Sequence, residues 1–218
     1  YQNPSGARLS EKDALAAIYQ AATRLVMRLV VTFFAEARDL LPRSQPIYEE
    51  AYGVEGLFAQ LESAARHEGL RGLEGQRGAW PRILGLFRLI HGGSHHEALP
   101  VPAYGGTLFR AGDVSASDPV LRAMALFEDA RVDLSDRAVL ELLRLLKIGR
   151  IRVRRGTASA WVAGPVDFSD LRTEYIGIMY EGLLDYELRR VSAESPMLVL
   201  GLGKEPVLPL SLLEGLSD

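Results

Sequence analysis

Apolar residues recur at helical spacing through most of the chain and switch to simple alternation at one place. Leu15, Ile18, Ala22, Leu25, Val26, Leu29 and Phe33 form the longest stripe. Steps of three and four residues line one side of an α-helix. Ser10 with Asp13 precedes the stripe as a capping pair, and Pro42 and Pro46 follow it. The pattern predicts one helix over Glu11–Arg38, the longest of the chain. Val54–Arg66 and Trp80–Ile90 read as the next two, the latter stopping at Gly92-Gly93. Asp118 before Pro119 is an N-cap followed by a proline at the first helical position, and that helix ends before Asp129. Ser135 caps another, which carries Val139, Leu142, Leu143 and Leu146, with Leu140 and Leu145 widening its apolar surface.

From Arg150 the period drops to two. Ile151 and Val153 fall on one side, Arg152 and Arg154 on the other. Gly156-Thr157 reads as a turn, Ala160-Trp161-Val162 as the return strand and Pro165 as its end. Helical spacing resumes over Leu171–Leu188, where Ile176, Met179, Tyr180, Leu183 and Leu184 recur at i, i+3, i+4, i+7 and i+8, with Asp170 or Thr173 as cap. Gly177 lies on the shoulder of that face and Gly182 nearly opposite it. Each costs about 1 kcal/mol relative to alanine in a helix interior. A helix that keeps both is expected to have backbone or ligand close on two sides, as a central core helix would. Tyr186–Val191 and Met197–Leu200 are strand-like, Glu68–Gly78 reads as a mobile glycine-rich loop, and Ser94–Asp118 as irregular. The expected architecture is mainly α: an irregular helical bundle with a small β-hairpin and short strands near the C-terminal end. Residues 1–146 form the helical domain; 147–218 add the hairpin, the Leu171–Leu188 helix and short strands on the same core.

Composition changes this picture little. The 218 residues are 48% hydrophobic and 24% charged, ordinary values for a globular chain. A net charge of −3 gives no global attraction to nucleic acid, so any such contact needs a local patch. The absence of cysteine excludes disulfides, thiol catalysis and cysteine zinc sites, and fits a cytoplasmic location. The longest apolar run, Leu25 to Ala35, is interrupted by Arg28, so a membrane span is not expected. The chain starts at Tyr1 rather than Met, as a piece of a longer polypeptide would.

Candidate chemistry is sparse. Lys147, Arg150, Arg152, Arg154 and Arg155 form the one dense basic cluster. Two readings stay open: a charged strand edge that blocks sheet-to-sheet aggregation, or contact with DNA phosphates. His91-Gly-Gly-Ser-His95-His96 invites a metal, but it lacks the H-E-x-x-H frame and is broken by glycines, so a solvated loop is expected. His91-Gly-Gly also lacks the G-x-S-x-G of an esterase. Met197-Leu-Val-Leu-Gly-Leu-Gly203 runs a strand into G-x-G, yet Pro206 stands where a dinucleotide fingerprint needs glycine, and Glu205 after Lys204 denies a phosphate loop. Glu36 falls near the end of the first helix. If buried it needs a partner, with Arg38 or another arginine expected.

Three stretches, in this order, carry a family resemblance. Ala35-Glu-Ala-Arg-Asp-Leu-Leu-Pro42 ends the first helix and is followed by Tyr48, Tyr52, Val54, Leu57 and Leu61. Tyr104-Gly-Gly-Thr-Leu-Phe109 forms a loop, and Tyr175–Tyr186 contains Gly177, Tyr180, Glu181, Gly182, Leu183 and Leu184. Together they resemble the helical region of large bacterial restriction-modification and phage-defence adenine-specific DNA methyltransferases, of the type IIG, BREX and DISARM kinds. In that family the last stretch is a signature helix just upstream of the catalytic domain. The resemblance implies a parent polypeptide that binds S-adenosylmethionine and double-stranded DNA and methylates the exocyclic amino group of adenine. The (Asn/Asp)-Pro-Pro-(Tyr/Phe) loop that holds the flipped base is missing here. The expectation is therefore a non-catalytic spacer, with no cofactor or metal of its own, beside a flanking methyltransferase domain. The alternative is a free-standing helical interaction module with no part in methylation.

Overall fold

The computed structural model describes residues 9–155, 158–188, 190–191, 196–199 and 207–210, and within them the side chains of all but residues 150–161, 199, 207 and 208. α1 (Glu11–Ala37) is the axis of the core. Its first turn is capped by Ser10, whose Oγ accepts from the Asp13 amide at 3.1 Å. Around it stand α2 (Pro46–Ala51), α3 (Val54–Gly72), α4 (Ala79–Gly92), α5 (Pro119–Phe127) and α6 (Asp136–Lys147). Phe33, Tyr48, Leu86, Phe87, Met124, Leu140 and Leu143 are fully buried where these helices meet. Burying each such apolar side chain contributes about 1.5–3 kcal/mol. α1 is long and apolar enough to span a bilayer, but here it packs against α5, α3 and the later helix Thr173–Leu184.

Among the described residues the strands form three separate antiparallel pairs. β1 (Ser94–His96) pairs with β2 (Leu99–Val101), β3 (Ile148–Arg155) with β4 (Ala158–Pro165), and β5 (Met197–Val199) with β6 (Val207–Pro209). α7 (Thr173–Leu184) follows β4. The mainly α bundle with a late hairpin is thus the architecture that the hydrophobic period predicts.

Apolar burial does not by itself fix how the helices meet; three buried polar groups do. Glu36, fully buried near the end of α1, places its carboxylate on the start of α3. Oε1 accepts from Tyr48 Oη at 2.7 Å and from the Val54 amide at 2.8 Å, and Oε2 accepts from the Glu55 amide at 3.0 Å. α3 needs this, because its N-cap is Gly53, which has no side chain to offer its free amides. α4 repeats the device. Its N-cap is Gly78, and the buried Asp136 at the start of α6 accepts from the Ala79 amide at 2.8 Å. Arg28, in the middle of α1 and 1% exposed, is the third. It donates to the Leu108 carbonyl at 2.7 Å, to the Arg110 carbonyl and to Glu128 at 2.8 Å, and lies 5.3 Å from the Phe87 ring. Glu128 also accepts from the Gly112 amide at 3.1 Å. Gly112 must be glycine: a Cβ there would stand 2.1 Å from the Ala125 nitrogen of α5.

Several expectations are corrected. Among the described residues neither Arg38 nor any other arginine forms an ion pair with Glu36, although Arg82 lies near enough to feel its charge. Backbone amides and a tyrosine hydroxyl satisfy the carboxylate, because a helix N-terminus already presents free donors and a partial positive charge. Glu68–Gly78 is not wholly a loop: α3 runs to Gly72, broken at Gly69. Ser94–Asp118 is not wholly irregular, since it holds the β1–β2 hairpin, and the short α2 had no periodic signal. The last predicted helix is shorter than Leu171–Leu188, and neither Asp170 nor Thr173 caps it; Arg172 holds the cap position without a side-chain bond. The described residues of Tyr186–Val191 are not a strand. The Gly156-Thr157 turn and the Gly201-Leu-Gly203 motif lie outside the described residues.

Glu36→Ala leaves buried amides and a hydroxyl without an acceptor, and urea unfolding should show a loss of about 2–4 kcal/mol. The pH response has a definite sign. Burial pushes the Glu36 carboxyl above the usual glutamate range, against the opposing pull of the bonds from Tyr48, Glu55 and Val54. For a pKa raised by folding, the linked stability is complete below the unfolded value and is lost as pH rises through the folded one. Unfolding free energy of the native chain, relative to Glu36→Gln, therefore declines as pH rises from the usual glutamate range. A difference that stays flat or grows contradicts this.

Candidate functional site

The residues singled out by the resemblance occupy two places. The first is a junction at the C-terminal half of α1. Leu40, in the turn after α1, offers its carbonyl to the Tyr104 hydroxyl. Arg28 ties down the carbonyls of Leu108 and Arg110 in the same loop. Gly105 and Gly106 adopt φ of 61° and 76°, which side chains disfavour and which let the loop turn back. Phe109 then packs edge-on against Phe87 with centroids 5.8 Å apart. The first two motif stretches are therefore one packed unit, and the loop tucks Leu108 and Phe109 onto the helices as their apolarity requires.

The second place is α7. Tyr19 of α1 donates to the Leu183 carbonyl at 2.6 Å, and Ile176 and Leu183 are its half-buried positions. The segment before it is anchored by Phe168, stacked on Phe33 at 5.0 Å. α7 lies along α1, but its outer side is open. It carries no buried residue, and Tyr175 and Ile178 are 51% and 60% exposed. At 100° per residue Ile178 lies about 140° around the helix from Leu183, on the side turned away from it. Met179, Tyr180 and Leu184 are exposed as well. The central, two-sided core helix expected from its glycines is therefore a correction. A Cβ at Gly177 or Gly182 would meet no atom within 4 Å. The period reports that a helix is apolar, not that its partner belongs to the same chain. Exposed apolar side chains beside a polar face of Glu174 and Glu181 make α7 an amphipathic helix whose apolar side is incompletely covered among the described residues.

The basic cluster divides. Lys147, at the end of α6, turns inward: its ammonium pairs with Glu55 and lies 5.3 Å and 5.2 Å from the Phe33 and Phe58 rings. It is thereby committed to the fold. Arg150, Arg152 and Arg154 occupy alternate positions of β3, opposite Ala163, Trp161 and Ser159 of β4, and so share one face of the ribbon. Arg155, opposite Ala158, belongs to the other face by parity. The side chains of these four arginines lie outside those described. Glu181, on α7, is exposed.

Histidines do not assemble a centre. His91 ends α4, while His95 and His96 lie on β1 and are exposed. Among the described residues no three histidine or carboxylate side chains converge as a metal site would require. What sequence reasoning missed is the pair of carboxylate caps. Glycines at Gly53 and Gly78 immediately ahead of helical stripes were the available signal, since a helix that starts on glycine must borrow its cap.

Comparison with protein-family models, with curated proteins and with solved structures finds no match to this chain.

Because α7 is uncovered, Ile178→Asp should leave the unfolding free energy within about 0.5 kcal/mol of the native value, while Phe33→Ala costs about 3–5 kcal/mol. A loss above about 2 kcal/mol for Ile178→Asp would mean that α7 is packed inside the molecule.

Proposed function

We propose that this chain is a non-catalytic helical spacer of an adenine-specific DNA methyltransferase from a restriction-modification or phage-defence system. The observation that carries the reading is α7. The stretch that resembles the family's signature helix is the one helix of the described fold that carries no buried residue. The resemblance puts a methyltransferase domain directly after such a helix, and an exposed apolar surface of this kind marks an interaction site. In this reading α1 to α6 are a rigid block, α7 is the seat for the flanking domain, and the β3–β4 ribbon offers Arg150, Arg152 and Arg154 to the phosphates of duplex DNA. S-adenosylmethionine belongs to the neighbouring domain, and the polypeptide works in the cytoplasm.

The reading frame downstream of Asp218 in the gene separates this proposal from that of a free-standing interaction module. A downstream (Asn/Asp)-Pro-Pro-(Tyr/Phe) loop supports the spacer, and a stop codon close behind Asp218 contradicts it. In the enzyme carrying that loop, Ile178→Asp should reduce adenine methylation at least about tenfold, an effect of about 1.4 kcal/mol on domain docking. Neutralising Arg152 and Arg154 together should weaken DNA binding and lower the slope of log affinity against log salt by about 1.8, two phosphate contacts' worth. Unchanged affinity and slope remove the ribbon from the DNA contact.

A further inference from the structure

A cavity of about 190 Å³ opens at the junction of the first two motif stretches. Val31, Phe34 and Ala35 of α1 line it together with Leu41, Tyr104 and Phe109. No polar atom faces it. Thr32 lines it too, but its hydroxyl is turned away and donates to the Arg28 carbonyl at 2.7 Å. Water in such a space would find none of the two to four polar partners it needs, whereas an apolar cavity of about 150 Å³ accepts a benzene ring.

The walls hold the space open. One wall is a helix. The opposite wall is a loop that Arg28 grips at the Leu108 and Arg110 carbonyls, so it cannot slide inward. Across the mouth, Tyr104 reaches the Leu40 carbonyl, and both residues are half exposed. A preformed, dry space of this size beneath an exposed and easily broken latch has the character of a binding site rather than of a packing defect.

We infer that this cavity is a binding site for a single uncharged aromatic ring or short branched-alkyl group, with Tyr104 as its door. A charged or strongly polar group would lose its hydration without gaining a partner. The volume admits one ring. The same chemistry is offered by a free small molecule and by a side chain on a polypeptide. The inference stands on the cavity alone and survives if the methyltransferase reading fails.

The test is titration of the purified full chain, labelled with nitrogen-15, with toluene and separately with N-acetylphenylalanine amide, followed by amide shifts. Toluene should give saturable shifts confined to Val31, Phe34, Ala35, Tyr104 and Phe109. Ala35→Leu fills the cavity from a half-buried position and should weaken toluene binding at least about tenfold. Val31→Phe, from another half-buried position, should do the same, so that one variant remains informative if the other folds poorly. Binding of toluene but not of the amide assigns a free molecule as occupant; binding of both assigns a side chain. Shifts that never saturate, or equal affinity in the filled variants, overturn the inference.

Discussion

The bond network on which the fold depends is the carboxylate of Glu36 at the head of α3. α1 buries apolar side chains on several sides, and any helix with an apolar stripe could lie against it at many angles. Hydrophobic burial is non-directional. The Glu36 oxygens, by contrast, reach the amides of Val54 and Glu55 and the Tyr48 hydroxyl only when α1, α2 and α3 are placed as they are. Asp136 does the same for α6 and α4, and Arg28 for α1, the loop before α5 and the end of α5. Each is buried, and each would be costly if left unpaired. They select one arrangement among the many that burial alone would permit.

Secondary links follow the same logic at lower cost. Arg144 grips Glu62 with two bonds of 2.7 and 3.0 Å, joining α6 to α3. Both side chains are partly exposed, so this pair refines a contact that Leu57, Leu61, Leu140 and Leu143 already make favourable. Lys147 closes the same seam through Glu55. It is informative that the one lysine of the basic cluster is spent here: it carries its charge to the rim of the core and holds its ammonium over two phenylalanine rings.

The sequence made plain the elements whose signals are local. α1, α4, α5 and α6 show a period with a cap or a stop, and Ser10, Asp118 and Ser135 each accept the amide that their position predicts. The β3–β4 ribbon was visible because period two is hard to mistake for 3.6. What stayed hidden was long-range. Glu36 and Asp136 meet helices many residues away, and nothing in a one-dimensional pattern says that a carboxylate at one helix end will cap another. The exposure of α7 was hidden for a different reason. Its residues are those of a buried helix, so the pattern was read correctly and the burial was not. Of the five basic residues, Lys147 had the same local appearance as its neighbours and a different fate. The resemblance and the apolar character of α7 together turn that mismatch into the functional proposal: a braced block of helices with one helix left for something else to cover.

Native-state hydrogen exchange separates these parts most directly. If Glu36 locks α3 onto α1, the Val54 and Glu55 amides exchange only when the whole core unfolds, with the same opening free energy as the centre of α1. If α7 is an uncovered surface helix, its amides open far more easily than that in the same sample. Rapid exchange at Val54 and Glu55, or protection of the α7 amides equal to that of α1, would contradict the account.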